Sequence, residues 1–156
     1  MVMLERNGVA YVAHAFEHDL IDQDDLGYGR AAARALQVDE SRVFKTLLAQ
    51  SEKAAVVAIV PVNTQLSLKS LAHVLGVKRC EMIPATDAQR ITGYVVGGIS
   101  PFGQKKKLTT VVDQSALLMS TMFVSGGRRG LDLEIAPNDL MNLLNALSGE
   151  IATHDH

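Results

Sequence analysis

The chain has 156 residues, 47% of them hydrophobic, which is enough to bury one substantial core. Fifteen Lys and Arg against 17 Asp and Glu give a formal net charge of -2. A bulk-basic nucleic-acid binder is excluded, and any contact with a polyanion must come from a local patch. A single cysteine, Cys80, excludes an intramolecular disulfide and a multi-cysteine metal site.

In chain order, the opening MVMLERNG has charges but no apolar run after them, so no signal peptide is expected. AYVAHAF (10–16) alternates as a strand, and the acidic, turn-rich LIDQDDLGYG (20–29) reads as a surface loop. RAAARALQV (30–38) is strong helix-former sequence. Strands are predicted at 43–50 and 54–60, with SEK as the hairpin turn between them. LSLKSLAHVLG (66–76) reads as an amphipathic helix with Ser67 at its N-cap and Gly76 at its stop. A short strand near 78–82 and a helix entered at Pro84 follow. Strands are then predicted near 94–97, 108–112, 120–124 and 132–135, before a closing helix in APNDLMNLLNAL. The longest apolar stretch, AAVVAIVPV, is too short for a bilayer and carries a proline, so a soluble cytoplasmic protein is expected. Helices mixed irregularly with many strands predict an α+β fold on a mixed sheet. One domain is expected over 1–150, with a polar tail at 151–156.

Two glycine-rich segments could carry chemistry. VVGGISPFGQKKK (95–107) combines Gly97, Gly98 and Gly103 with Lys105, Lys106 and Lys107, and VSGGRRGLDLEIAP (124–137) combines Ser125 and three glycines with Arg128 and Arg129. Each by itself can be a solvated turn; together they suggest one site where backbone donors and cations meet phosphate or carboxylate. The first misses the P-loop pattern at Gln104. His14 and His18 have metal-ligand spacing only on a helix, and the local pattern is a strand. Cys80 has no adjacent histidine and reads as a buried strand cysteine; His154 and His156 lie in the polar tail, expected to be disordered.

VFKTLLAQ (43–50) places a lysine inside a run that a strand would bury. On that strand Lys45 shares a face with Val43, Leu47 and Ala49. Either its stem packs on apolar neighbours while the ammonium reaches water, or a desolvated ammonium sits on the floor of a pocket. Both readings stand on these residues alone.

VFKTLL, GYVVGGISPFGQKKK, VSGGRRGLDLEIAP and the opening HAFEHD together resemble the YbaK/EbsC-type aminoacyl-tRNA deacylases, relatives of the editing insertion domain of bacterial prolyl-tRNA synthetases. The similarity runs from about residue 10 to 147 and is nearest to the branch that clears cysteine from proline tRNA. It implies a mixed sheet curled into a partial barrel with helices around it. It implies Lys45 as the central lysine holding the substrate's phosphate or carbonyl oxygen. Thr46, Tyr28, Gly97, Gly98, Ser125 and Asp132 would line the pocket, with backbone N–H groups of the Gly97–Gly98 turn as donors. Where close relatives often carry tyrosine this chain has Phe16, which offers no hydroxyl; Tyr28 is the other source of one. Lys105, Lys106, Lys107, Arg128 and Arg129 would contact the acceptor-stem backbone. The implied partners are mischarged tRNA(Pro) and prolyl-tRNA synthetase, with no DNA, membrane, metal or cofactor. Cys-tRNA(Cys) is a further expected substrate, and the alternatives are a deacylase for another small residue, such as alanine on tRNA(Pro), or a non-catalytic module binding tRNA ends or nucleotides.

Overall fold

The computed structural model describes residues 2–17, 25–95, 98–104 and 107–154, without the side chains of residues 2 and 25–28. Its elements run α1 (Val2–Arg6), β1 (Val12–Ala15), α2 (Asp25–Leu36), a 3-10 turn (Glu40–Arg42), β2 (Phe44–Ser51), β3 (Ala55–Pro61) and β4 (Thr64–Leu66). Then come α3 (Leu68–Leu75), β5 (Cys80–Met82), α4 (Ala85–Thr92), β6 (Thr109–Asp113), a second 3-10 turn (Gln114–Leu118), β7 (Met122–Arg128) and β8 (Leu131–Ile135). The chain closes with α5 (Pro137–Leu144), β9 (Leu147–Gly149) and β10 (Ala152–His154).

The run of apolar residues in β3 predicts a strand buried on both faces, and it lies at the centre of a five-stranded sheet ordered β5-β2-β3-β6-β9. β2 and β3 form the expected hairpin, with Lys45 opposite Val60. β3 pairs with β6, and β6 with β9, in parallel, so the sheet is mixed. On one face Phe44, Leu48, Val57 and Ile59 pack with Met122, Val124, Leu133, Ile135 and Leu140. On the other, Val56, Ala58, Val60 and Val111 pack with Leu71, Ala72 and Ile151. Among the described residues, the antiparallel sheet β1-β8-β7 joins the larger one through the parallel bridge of Val43 to Phe123. The combined surface curls without closing into a barrel. Among the described residues, no helix is long and apolar enough to cross a membrane.

Several elements depart from their predicted form. α2 begins at Asp25, inside the stretch read as a loop. Its glycines weaken helix propensity, but tertiary packing decides the matter. A Cβ on Gly29 would lie 2.4 Å from Val62 Cγ1, so only glycine lets the helix approach the β3–β4 turn so closely. Tyr94 and Val95, expected in a strand, are in none. The Tyr94 hydroxyl donates to the Phe102 carbonyl (2.6 Å) and folds that segment back on itself. β7 runs four residues beyond its predicted end at 124, with a register shift between Ser125 and Arg128.

The polar tail, expected to be disordered, is also ordered through residue 154. Ile151 is fully buried and β10 pairs with β4. Asp113, itself buried, accepts the N–H groups of Ile151 and Ala152 (3.0 Å each) on one oxygen and Ser115 Oγ (2.6 Å) on the other. Asp113→Ala should strand those donors and cost about 2–4 kcal/mol, read as a lower denaturant midpoint with an unchanged slope.

Candidate active site

β3 covers one edge of β2 along its length, while β5 reaches only Ala49–Ser51 on the other edge. β7 meets that same edge at Val43 and then diverges. The gap between them opens as a cavity of about 450 Å³ along residues 43–48, within the usual size of a small-molecule site. Gly29 and Ala32 of α2, Gln65 of β4, Ile83, Ile99 and the pair Ser125 and Asp132 complete much of its wall.

Backbone alternation fixes what the open edge presents. The Val43 carbonyl accepts from Val62 N–H on the β3 side, and the Leu48 carbonyl accepts from Ile83 N–H on the β5 side. Backbone groups of successive strand residues point to opposite edges, so Thr46 turns its N–H and C=O into the gap. Its buried Oγ1 has no hydrogen-bond partner either.

The side chains follow from the same geometry. The Val43–Phe123 bridge puts Val43 and Phe123 on one face, and Ser125 stands opposite Asp132 in the β7–β8 register. Lys45, Ser125 and Asp132 therefore share one face of a continuous surface, beneath α2. Lys45 donates from Nζ to the Thr64 carbonyl (2.7 Å). Burial, and then the positive charge of Arg30, hold its pKa below the ordinary lysine value. Asp132 is 4% exposed and has no hydrogen-bond or ion-pair partner among the described residues. Burial pushes its pKa up to about 7. No ion pair joins Lys45 to Asp132, although both line the cavity.

The two glycine-rich segments do meet, but through close backbone packing. A Cβ on Gly98 would lie 2.8 Å from Arg128 Cα. Gly98 N–H, expected as a substrate donor, is already engaged by the Val95 carbonyl (2.9 Å), and Gly98 is not among the lining residues. The edge amide of Thr46 holds the open donor position instead. Ile99 and Ser125 carry the two segments to the cavity wall. Phe16 lies just past β1 with its N–H on the Gly130 carbonyl and does not line the cavity. The Tyr28 side chain, Gly97, Lys105 and Lys106 lie outside the described residues. Lys107 and Arg128 are exposed, and Arg129 is half-buried in the β7–β8 turn.

His14 lies in β1 as expected, and its Nε2 is 3.0 Å from Glu134 Oε1; His18 lies outside the described residues. The other Glu134 oxygen accepts from Thr121 Oγ1 and lies 3.4 Å from Arg42 Nη2. Cys80 is buried in the second core cluster, where burial first and Glu52 second raise its thiol pKa. A raised pKa suppresses the thiolate that nucleophilic attack requires. Cys80→Ser should therefore deacylate within about twofold of wild type per folded molecule, with no added metal. A collapse of single-turnover rate in a folded mutant would contradict this placement.

Sequence reasoning missed Gln65, Leu66, Met82 and Ile83 in the wall. They sit on or beside three-residue strands, too short to show an alternation.

A family model described as "Aminoacyl-tRNA editing domain" matches residues 29–143. The chain is 36% identical over 156 residues to "Putative Cys-tRNA(Pro)/Cys-tRNA(Cys) deacylase EbsC" of Enterococcus faecalis, covering 99% of this chain and 93% of that one. It is 32% identical over 96 residues to "Proline--tRNA ligase" of Geobacter metallireducens, covering 62% of this chain but only 16% of the ligase. In fold it resembles "Crystal structure of a putative trans-editing enzyme for prolyl tRNA synthetase", with a TM-score of 0.83 and 20% identity over 97% of this chain and 93% of that one. The chain belongs to the aminoacyl-tRNA editing domain family, and aminoacyl-tRNA deacylation is the activity that membership carries.

Proposed function

We propose that the chain removes cysteine from mischarged Cys-tRNA(Pro), acting in trans beside prolyl-tRNA synthetase in the cytoplasm. The observation that carries this reading is one cavity lined both by a lysine and by a buried carboxyl that has no partner among the described residues. The 3′ end of an aminoacyl-tRNA has the matching charges, a backbone phosphate and an α-ammonium. Lys45 holds the phosphate or carbonyl oxygen, and Asp132 takes the α-ammonium. Thr46 N–H is the donor placed for oxyanion charge, and Thr46 Oγ1 and Ser125 supply further hydrogen bonds around the ester.

The ester is already activated, so positioning supplies much of the acceleration. The substrate's thiol attacks its own ester carbonyl to form a cysteine thiolactone, the thiol proton passes to the departing ribose hydroxyl, and water then opens the thiolactone to free cysteine. No enzyme nucleophile is needed in this scheme. The name of the Enterococcus relative and the partial match to a proline ligase support this choice of substrate and partner.

The test is release of labelled amino acid from tRNA(Pro) charged with cysteine, alanine, serine or proline. Fast release of cysteine alone is expected. Release of alanine instead would move the substrate, and binding without release would make the chain a binding module.

Capture of the tRNA body is assigned to Lys105–Lys107 with Arg128 and Arg129. With a net charge of -2, affinity must depend on such a local patch. Neutralising Lys105, Lys106 and Lys107 together should weaken tRNA binding and make the slope of log K against log salt shallower by roughly 2. An unchanged affinity and slope would remove this segment from the acceptor stem.

A further inference from the structure

Arg30 lies one residue beyond Gly29, whose contact with Val62 fixes how closely α2 approaches the cavity. Its Nε is 3.9 Å from Glu40 Oε2, and Glu40 opens the 3-10 turn that leads directly into β2. Arg30 is thereby held near the start of the strand that carries Lys45, next in sequence to the cavity-lining Gly29. The side chain is half exposed, so the guanidinium remains open to a ligand. From there its charge reaches the Lys45 ammonium. The carboxylate paired with it stands at the outer limit of ion-pair distance, and among the described residues the Lys45 ammonium is held by a neutral carbonyl. Two cations thus lie near the start of β2, and Glu40 is the carboxylate paired with Arg30 among the described residues.

We propose that Arg30 and Lys45 form a two-cation clamp for the phosphate that precedes the terminal nucleoside of the substrate. This rests on the reading of the cavity as the site for an aminoacyl-tRNA end. The guanidinium of Arg30 meets one non-bridging phosphate oxygen from the α2 side, while the compact Lys45 ammonium meets the other from the floor. Glu40 steadies Arg30 in the free protein and yields it when phosphate arrives. Arg30 is in this sense a positioning residue: it fixes the register of the tRNA end without touching the ester.

The test uses two stable amide analogues, 3′-cysteinylamino-3′-deoxyadenosine with and without a 5′-phosphate, titrated calorimetrically into the full chain. Wild type should bind the phosphorylated analogue about tenfold or more tightly than the other. Arg30→Gln should lose most of that preference while binding the phosphate-free analogue as wild type does. Glu40→Gln should keep the preference, whereas a purely structural Arg30–Glu40 pair would make both substitutions act alike. The clamp is overturned if wild type shows no preference, if Arg30→Gln keeps it, or if Glu40→Gln loses it equally. If wild type binds neither analogue and leaves Cys-tRNA(Pro) intact, the functional reading itself fails and takes the clamp with it.

Discussion

Replacing Lys45 with alanine is expected to lower deacylation of Cys-tRNA(Pro) by roughly 10²-fold or more, with the circular dichroism spectrum unchanged. The ammonium is half-buried on the cavity floor and anchored by the Thr64 carbonyl, so its direction is set before substrate arrives. A preoriented cation in a partly desolvated site interacts more strongly with an anionic oxygen than one in water. Lys45→Arg should also be poor, because a planar fork cannot replace a compact charge beneath Arg30. Stability should move the other way. Burial, and then the charge of Arg30, hold the folded-state pKa of Lys45 below that of a lysine in the unfolded chain. The folded protein therefore binds fewer protons than the unfolded chain within that window, and this group's contribution improves as pH rises through it. At neutral pH its charge is a net cost, so Lys45→Met should hold or raise the denaturant midpoint. An alanine mutant that kept most of its activity would return Lys45 to the reading of a stem packed on apolar neighbours.

Asp132→Asn is expected to lower kcat/KM to a comparable extent and to abolish its acid limb. Burial raises this carboxyl from 3.8 to about 7. Its ionised form, which the α-ammonium needs, dominates only above that value. Wild-type activity should therefore fall as pH drops through about 7. The stability consequence has a definite sign. Between about pH 4 and 7 the folded protein keeps a proton that the unfolded chain releases, so this group destabilises the fold increasingly as pH rises. The penalty is complete above about 7 and amounts to at most about 4 kcal/mol, at about 1.4 kcal/mol for each pH unit. Asp132→Asn should flatten that part of the stability–pH curve and gain stability at pH 8 while losing function. An asparagine variant with unaltered activity and pH profile would remove Asp132 from the site.

That trade explains what could be read from the sequence. A lysine inside VFKTLL stood out because it breaks the rule that strands of this composition bury apolar side chains. Asp132 in GLDLEI was far less visible from the residues alone, since a charged residue alternating with leucines reads equally well as a solvated face. Its burial depends on β7 running to Arg128 and on α2 covering that surface, both products of tertiary packing. The β2–β3 hairpin and α3, capped by Ser67 and Gly76, were legible from local pattern and capping residues. β4, β9 and β10 were not: three-residue strands are held by partners distant in sequence, as β10 is held by Asp113 and β4. The two glycine-rich segments do come together, and close backbone approach of Gly98 to Arg128 is what the described residues show.

One substrate end is expected to lie along the open edge of β2, between Lys45 and Asp132. A crystal structure of the protein with the 5′-phosphorylated cysteinylamino-deoxyadenosine analogue tests it most directly. The phosphate should lie against Lys45 Nζ, the α-amine within about 3.2 Å of an Asp132 carboxyl oxygen, and the amide carbonyl oxygen within the same reach of Thr46 N–H. An analogue bound elsewhere, or reversed so that its phosphate approaches Asp132, would contradict the account.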